Sequence, residues 1–301
     1  MVAFEIPLVG PKGEPVDFLR TILSHGVADL PPARVDEAAG AYETTVGLSA
    51  GRPRTIRISA GAPGTARVDV RGPRLGERAA GALVETVRKI LNLDEDLSAF
   101  YEAAVGDPDL EWAMHGAGRM LRTPTVFEAV VKTVCTTNCA WSATVRMVTA
   151  LVDNLGERAL GSDSRAFPSA EAMAAAPESF YRDVVRAGYR SAYLRSLAEG
   201  VAEGSIELEE LGVGSDGLTD DEVAARLLAL PGIGPYGTAH MMMLLGRHSR
   251  LVLDSWTRPK YARVRGRKAT DAQIERRFRR YGRYAGLAFW LYLTRDWVAE
   301  A

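Results

Sequence analysis

The sequence predicts an α+β protein: a small N-terminal antiparallel β-sheet domain followed by an all-α body. Three observations carry that expectation. Alternation of apolar and polar residues is confined to residues 1 to about 75. Helical apolar spacing begins at Glu77 and recurs to the end of the chain. Gly and Pro fall between these runs, and there is no internal repeat or low-complexity tract. A β-rich domain is therefore expected over 1–78 and a helical body over 79–301.

The elements follow in order. Ala3 to Val9 alternates weakly, whereas Thr55 to Ser59 and Ala66 to Arg71 alternate cleanly, as strands with one apolar and one wet face do. Glu77 to Leu91 places Ala80, Leu83, Val84, Val87 and Leu91 on one helical stripe. Asp94 to Val105 predicts a further helix. Thr125 to Leu155 predicts a long helical stretch broken near Thr136-Thr137-Asn138, three polar residues that suit a turn or helix start. Pro168 to Ala176, Glu178 to Ala187 and Ser191 to Glu203 read as short helices. Asp220 to Leu230 opens behind the capping signal Thr219-Asp220-Asp221-Glu222. A Gly/Pro hairpin, a helix over His240 to Leu245, a helix over Ser255 to Val264 and a final pair over Thr270 to Ala299 complete the body.

Composition bounds the function. The chain has 301 residues, 47% hydrophobic, which is enough for a real core and unlike a disordered chain. Net charge is −1, so bulk charge names no partner. Its distribution is uneven: from Arg258 to Arg283 there are eleven Lys or Arg against Asp271 and Glu275. Such a segment is either a solvated basic surface or one that faces a polyanion. Two cysteines, Cys135 and Cys139, are too few for a disulfide framework or an iron–sulfur cluster and read as small buried residues in a reducing compartment. The apolar run Ala239 to Leu245 is too short to span a bilayer. With no basic and apolar leader in MVAFEIPLVGPKGEPVDF, the expectation is a cytoplasmic protein with no membrane partner.

The chemistry is concentrated in Leu228 to Trp256. Leu230-Pro231-Gly232-Ile233-Gly234 joins two apolar helical runs. Gly232 and Gly234 permit a tight turn, and the amides that open the next helix carry the positive end of its dipole, a place for a phosphate. Pro235 suits the first helical position. A plain helix–helix loop would use the same residues. The run ends at Asp254, just before the helix expected from Ser255, where a carboxylate either caps that helix or does chemistry.

LPGIGPYGTA, followed at 18 residues from Tyr236 by Leu253-Asp254-Ser255-Trp256, resembles the helix–hairpin–helix (HhH-GPD) DNA glycosylase superfamily. Val134-Cys-Thr-Thr-Asn-Cys139 resembles the wedge loop of its 3-methyladenine glycosylase II and 8-oxoguanine branches. Tyr281-Gly-Arg-Tyr-Ala-Gly-Leu287 resembles the opening of their last helix. The resemblance spans about residues 90 to 298. One departure is that Gly237 and Thr238 stand where the family has a small residue beside Ala.

The resemblance implies a two-lobed all-α glycosylase body, with a central lobe over about 122–246 and a second lobe over about 79–121 and 247–301. It implies binding of double-stranded DNA as a monomer at the nucleoid and removal of a damaged base swung out of the helix. Asp254 would stabilise the developing positive sugar. Tyr236 occupies the position of the lysine nucleophile of bifunctional relatives. A phenol forms no Schiff base, so the strand would stay uncut. Gly232, Ile233 and Gly234 would grip the DNA backbone, and Arg258 and Lys260 would neutralise nearby phosphates. Asn138 would fill the gap left by the extruded nucleotide or simply cap a helix. Phe289 falls at the position of the 8-oxoguanine-reading Gln, and Leu293 at that of the Phe. Tyr236, His240, Trp256, Phe289 and Trp290 would then make an aromatic pocket suited to alkylated purines, which are often cationic. Each taken singly reads as core packing before pocket, since aromatics dominate cores, and Trp141 is expected in the core. The hairpin carbonyls of 229–234 would hold K+ or Na+; no side chain there is a metal ligand. Alternatives are a lesion-binding module without chemistry, or removal of a deaminated purine or 8-oxoguanine.

Overall fold

The computed structural model describes residues 2–48, 51–212 and 217–298. Five strands form one antiparallel sheet: β1 (Val2–Pro7), β2 (Arg34–Asp36), β3 (Ala41–Val46), β4 (Arg54–Ala60) and β5 (Thr65–Val70). Their order is β1-β5-β4-β3-β2. β4 and β5 coincide with the two cleanly alternating segments. Ile56 pairs with Val70 and Ile58 with Val68, and all four side chains are buried on one face. β3 escaped the alternation test because Thr44 and Thr45 are both buried. α1 (Phe18–Ile22) escaped it because five residues are too few for a period; Asp17 caps it by accepting from the Arg20 amide at 2.9 Å.

α2 (Glu77–Ile90) lays Leu83, Val87 and Ile90 onto the sheet, in one apolar cluster with Ile56, Ile58 and Val68. α3 (Ser98–Ala104) starts later than its pattern suggests, because Asp96 accepts from the Ser98 amide and turns the chain first. The expected break divides α4 (Val126–Thr136) from α5 (Trp141–Leu155). α6 (Ala170–Ala174), a π-helical turn over Phe180–Val184 and α7 (Arg190–Ala202) follow. α8 (Asp220–Leu228) begins with the expected capping box, Thr219 and Glu222 bonding each other's amides.

The body closes with α9 (Pro235–Leu244), α10 (Thr257–Arg265), α11 (Asp271–Phe278), a 3-10 turn over Arg279–Tyr284 and α12 (Ala285–Thr294). The last residue of the expected final helix, Ala299, lies outside the described residues. Gly286 seats the start of α12 against the loop between α9 and α10: its amide donates to the His248 carbonyl at 2.6 Å, and a Cβ there would lie 2.2 Å from the Arg250 carbonyl. A second, larger apolar cluster joins α3, α4, α5, α7, α8, α9 and α12. Among the described residues no helix is long and apolar enough to cross a membrane.

Candidate active site

The hairpin joins α8 to α9 and is pinned from beneath. Leu230 and Ile233 are buried in the larger cluster. Gly232 has φ 80°, and a Cβ there would lie 2.9 Å from the Tyr193 ring, so the turn excludes any side chain twice over. A Cβ on Gly234 would meet nothing within 4 Å; that face is open. Pro235 opens α9, which has no side-chain cap, so the amides of its first turn are left for a ligand. Gly237 packs where a Cβ would lie 3.3 Å from Ile233, which accounts for a glycine at the departure from the family pattern.

Asp254 stands before α10. Its Oδ1 accepts from the backbone amides of Trp256 at 2.8 Å and Thr257 at 2.6 Å, while its own amide donates to Thr257 Oγ1 at 2.8 Å. The carboxylate is thus fixed by the helix start. Among the described residues no donor reaches Oδ2. The residue is half-buried and lines a cleft of about 800 Å³.

That cleft brings together four separate stretches. Its lining includes Gly232, Ile233, Gly234 and Tyr236 of the hairpin, with the Tyr193 ring packed against Gly232, and Asn138, Tyr189, Asp254 and Arg258. Asn138 is exposed with φ 46°, in the loop between α4 and α5, and its Nδ2 donates to the Tyr189 hydroxyl at 3.4 Å. It is not a helix cap; Ala140 holds that position in α5. Tyr189 and Tyr193 meet edge to face at 6.0 Å and are 54% and 39% exposed, unusual for aromatics that could pack. Sequence reasoning missed both, although two tyrosines four apart before a helical run were visible. Buried Arg190 sets the loop: its guanidinium donates to the Thr137 carbonyl and, at 3.2 Å, to Thr137 Oγ1.

Tyr236 is half-buried. Burial raises its hydroxyl above the usual value of 10.0; a hydrogen bond with Thr136 opposes this and the Asp254 charge adds to it. The group is a neutral phenol at physiological pH. His240 does not face the cleft. Its ring stacks behind Tyr236 at 5.9 Å and meets the edge of His25 at 6.2 Å. Burial lowers His240 to about 3 and His25 to about 4, so both rings are neutral.

The other expected pocket aromatics lie elsewhere. Phe289 is fully buried between Tyr261 and Phe278, in the core. Trp290 is turned to the N-terminal region, its Nε1 donating to the Ser24 carbonyl at 2.8 Å. Trp256 is 39% exposed and packs with Trp290 and Trp297, each centroid 5.6 Å away. Trp141, expected in the core, is 48% exposed and lines a separate cavity of about 440 Å³ with Trp297, His25 and Gly26. Lys260 is buried and paired with Asp296 at 2.5 Å, which removes it from the DNA-facing set. Arg258 is exposed in the cleft wall and paired with Asp271 at 2.8 Å. Cys135 is buried, which pushes its thiol up to about 12, and Cys139 is half-buried at the cleft edge.

No protein-family model matches the chain, nor does any curated protein sequence. Solved structures do. A 3-methyladenine DNA glycosylase from Archaeoglobus fulgidus superposes with a TM-score of 0.71 at 20% identity, covering 99% of this chain and all of that one. MBOgg1 in complex with a low-affinity DNA ligand gives 0.73 at 18% identity, covering 99% and 96%. The apo 8-oxoguanine glycosylase/lyase of Clostridium acetobutylicum gives 0.71 at 17% identity, covering 97% and 96%. Over nearly its whole length the chain has the fold of the HhH-GPD DNA glycosylases.

Proposed function

We propose that the chain is a DNA glycosylase that hydrolyses the N-glycosidic bond of a damaged purine, most fittingly an alkylated one, and leaves the strand uncut. The observation that carries this reading is the carboxylate of Asp254, fixed through one oxygen and, among the described residues, without a donor at the other, lining the same cleft as the Gly232–Gly234 hairpin. Heterolysis of the bond leaves positive charge on the sugar. A carboxylate held in place needs no reorganisation to stabilise it or to orient the water that completes hydrolysis.

The hairpin suits the role of backbone clasp, with open space over Gly234 and uncapped amides beside it. Its carbonyls over 229–234 are hard oxygen donors, and those of Gly232 and Ile233 accept no hydrogen bond among the described residues. A monovalent cation between them and a phosphate is part of the proposal. Asn138, Tyr189 and Tyr193 offer amide and aromatic groups to the space a departing nucleotide leaves.

The lining supports the monofunctional part of the proposal. Among the described residues no lysine lines the cleft, and the position that would carry one is the phenol Tyr236. Preference for alkylated purines rests on that aromatic face, which attracts a cationic base by roughly 0.5–2 kcal/mol. An 8-oxoguanine glycosylase is the second reading, favoured by the likeness to MBOgg1 and the clostridial enzyme.

A panel of duplexes, each with one lesion, tests the proposal. Release of 3-methyladenine or 7-methylguanine with an intact strand before alkali is the expected result. Strand cutting by the purified protein, or release of 8-oxoguanine alone, would contradict it.

A further inference from the structure

The glycosylase reading, on which this inference rests, places one nucleotide at the cleft and leaves open how far the duplex runs over the protein. The basic segment answers, because the structure divides its eleven cations. Arg258 is paired with Asp271, Lys260 with Asp296, Arg277 with Asp109 and Arg280 with Asp107. Arg283 donates to the Tyr284 hydroxyl at 2.6 Å. Arg263, Arg265, Arg267, Lys268, Arg276 and Arg279 are exposed, and among the described residues no carboxylate comes within 4.0 Å of them.

Three of those six continue from the cleft. Arg258 lines the cleft from the first turn of α10. Arg265 stands seven residues on, so two turns later it returns to the same face, about 10 Å along the axis. Gly266 then ends the helix in the left-handed region at φ 75°, and Arg267 and Lys268 follow directly. Cations in a last helical turn are accounted for by the helix dipole, which covers Arg263 and Arg265. It does not reach past the cap to Arg267 and Lys268.

We propose that Arg265, Arg267 and Lys268 form a second phosphate-contact surface, which holds the DNA backbone beyond the nucleotide at the cleft. Unpaired guanidinium groups take phosphate oxygens two at a time. With a rise of about 3.4 Å per nucleotide, the 10 Å along α10 corresponds to about three nucleotides. The surface adds affinity and register without reading sequence.

The test uses the full chain carrying Asp254→Asn, so that nothing turns over. Duplexes of about 25 and about 9 base pairs, the long one with a central tetrahydrofuran abasic analogue and the short one with the analogue about two nucleotides from the end on the α10 side, are titrated between roughly 50 and 200 mM salt. On the long duplex, the combined Arg265→Ala, Arg267→Ala and Lys268→Ala variant is expected to lower the log–log salt slope by about 2 to 3. On the short duplex its slope should match that of the parent. A charge-preserving variant, Arg265→Lys with Arg267→Lys, should keep the parental slope on both. An unchanged slope on the long duplex overturns the proposal, and equal losses on both lengths place the three residues inside the cleft footprint and overturn it too. If the parent itself binds neither duplex in a salt-dependent way, the failure lies in the DNA-binding reading beneath it.

Discussion

The two oxygens of Asp254 have different surroundings. Oδ1 holds the start of α10 through the Trp256 and Thr257 amides, a role that an asparagine also fills. Asp254→Asn should therefore stay within about 0.5 kcal/mol of the parent in urea unfolding, whereas Asp254→Ala should lose about 1 kcal/mol. Gly232 is constrained differently, by a positive φ and by the Tyr193 ring. Gly232→Ala should cost about 1–3 kcal/mol in the same measurement; an unaffected midpoint would mean that the turn is not as tight as described.

Buried neutral histidines make stability depend on pH. The unfolded chain binds protons on His25 and His240 below the usual 6.5, while burial keeps the folded rings neutral down to about 4 and about 3. Their contribution is full above pH 6.5 and lost as pH falls toward 4, at up to about 1.4 kcal/mol per pH unit for each ring. For Glu95, burial pushes upward but the charges of His248, Arg122 and Arg119 prevail and hold it at about 2, so its contribution is lost only below 4.5. A decline between pH 6.5 and 4.5 that is shallower in His240→Phe is the expected outcome of unfolding curves; identical curves would contradict the burial of that ring as an imidazole.

At the scale of elements, the loop between α4 and α5 depends on a neighbour that no local pattern reveals. Arg190, at the start of α7, holds the Thr137 carbonyl from 53 residues away. Arg190→Met should leave that carbonyl without a partner and cost about 1–3 kcal/mol. It should also weaken binding to abasic duplex, because Asn138 loses its support. Retained binding with lowered stability would separate the loop from DNA recognition.

The same scale shows what the sequence could reveal. The break after Thr136, the Thr219 capping box and the hairpin were legible because each is a local signal: polar residues inside an apolar run, a cap with its reciprocal partner, two glycines bracketed by prolines. Apart from Tyr236, the pocket aromatics were not. α12 is buried on every side from Ala285 to Thr294, so no apolar stripe tells which face meets the cleft. Neighbouring helix positions differ by about 100°, enough to put Phe289 in the core and Trp290 against Ser24. Charge was legible as a total but not as a pattern of pairing. Lys260 looked available until Asp296, at the far end of the chain, came to lie 2.5 Å from it.

Over the whole molecule, the cleft is assembled from the α4–α5 loop, the start of α7, the α8–α9 hairpin and the start of α10. Every wall is the end of a helix, where backbone amides and side chains are free to meet a ligand while the helix bodies share one apolar core. The Asp254 carboxylate in it is held by the Trp256 and Thr257 amides with no partner bound, as the proposed reaction requires. The measurement closest to that claim is single-turnover release of 3-methyladenine from a duplex, comparing the parent with Asp254→Asn at matched binding. The account predicts a loss of roughly 10²–10³-fold in rate with DNA affinity and folding retained. Equal rates for the two proteins would contradict it.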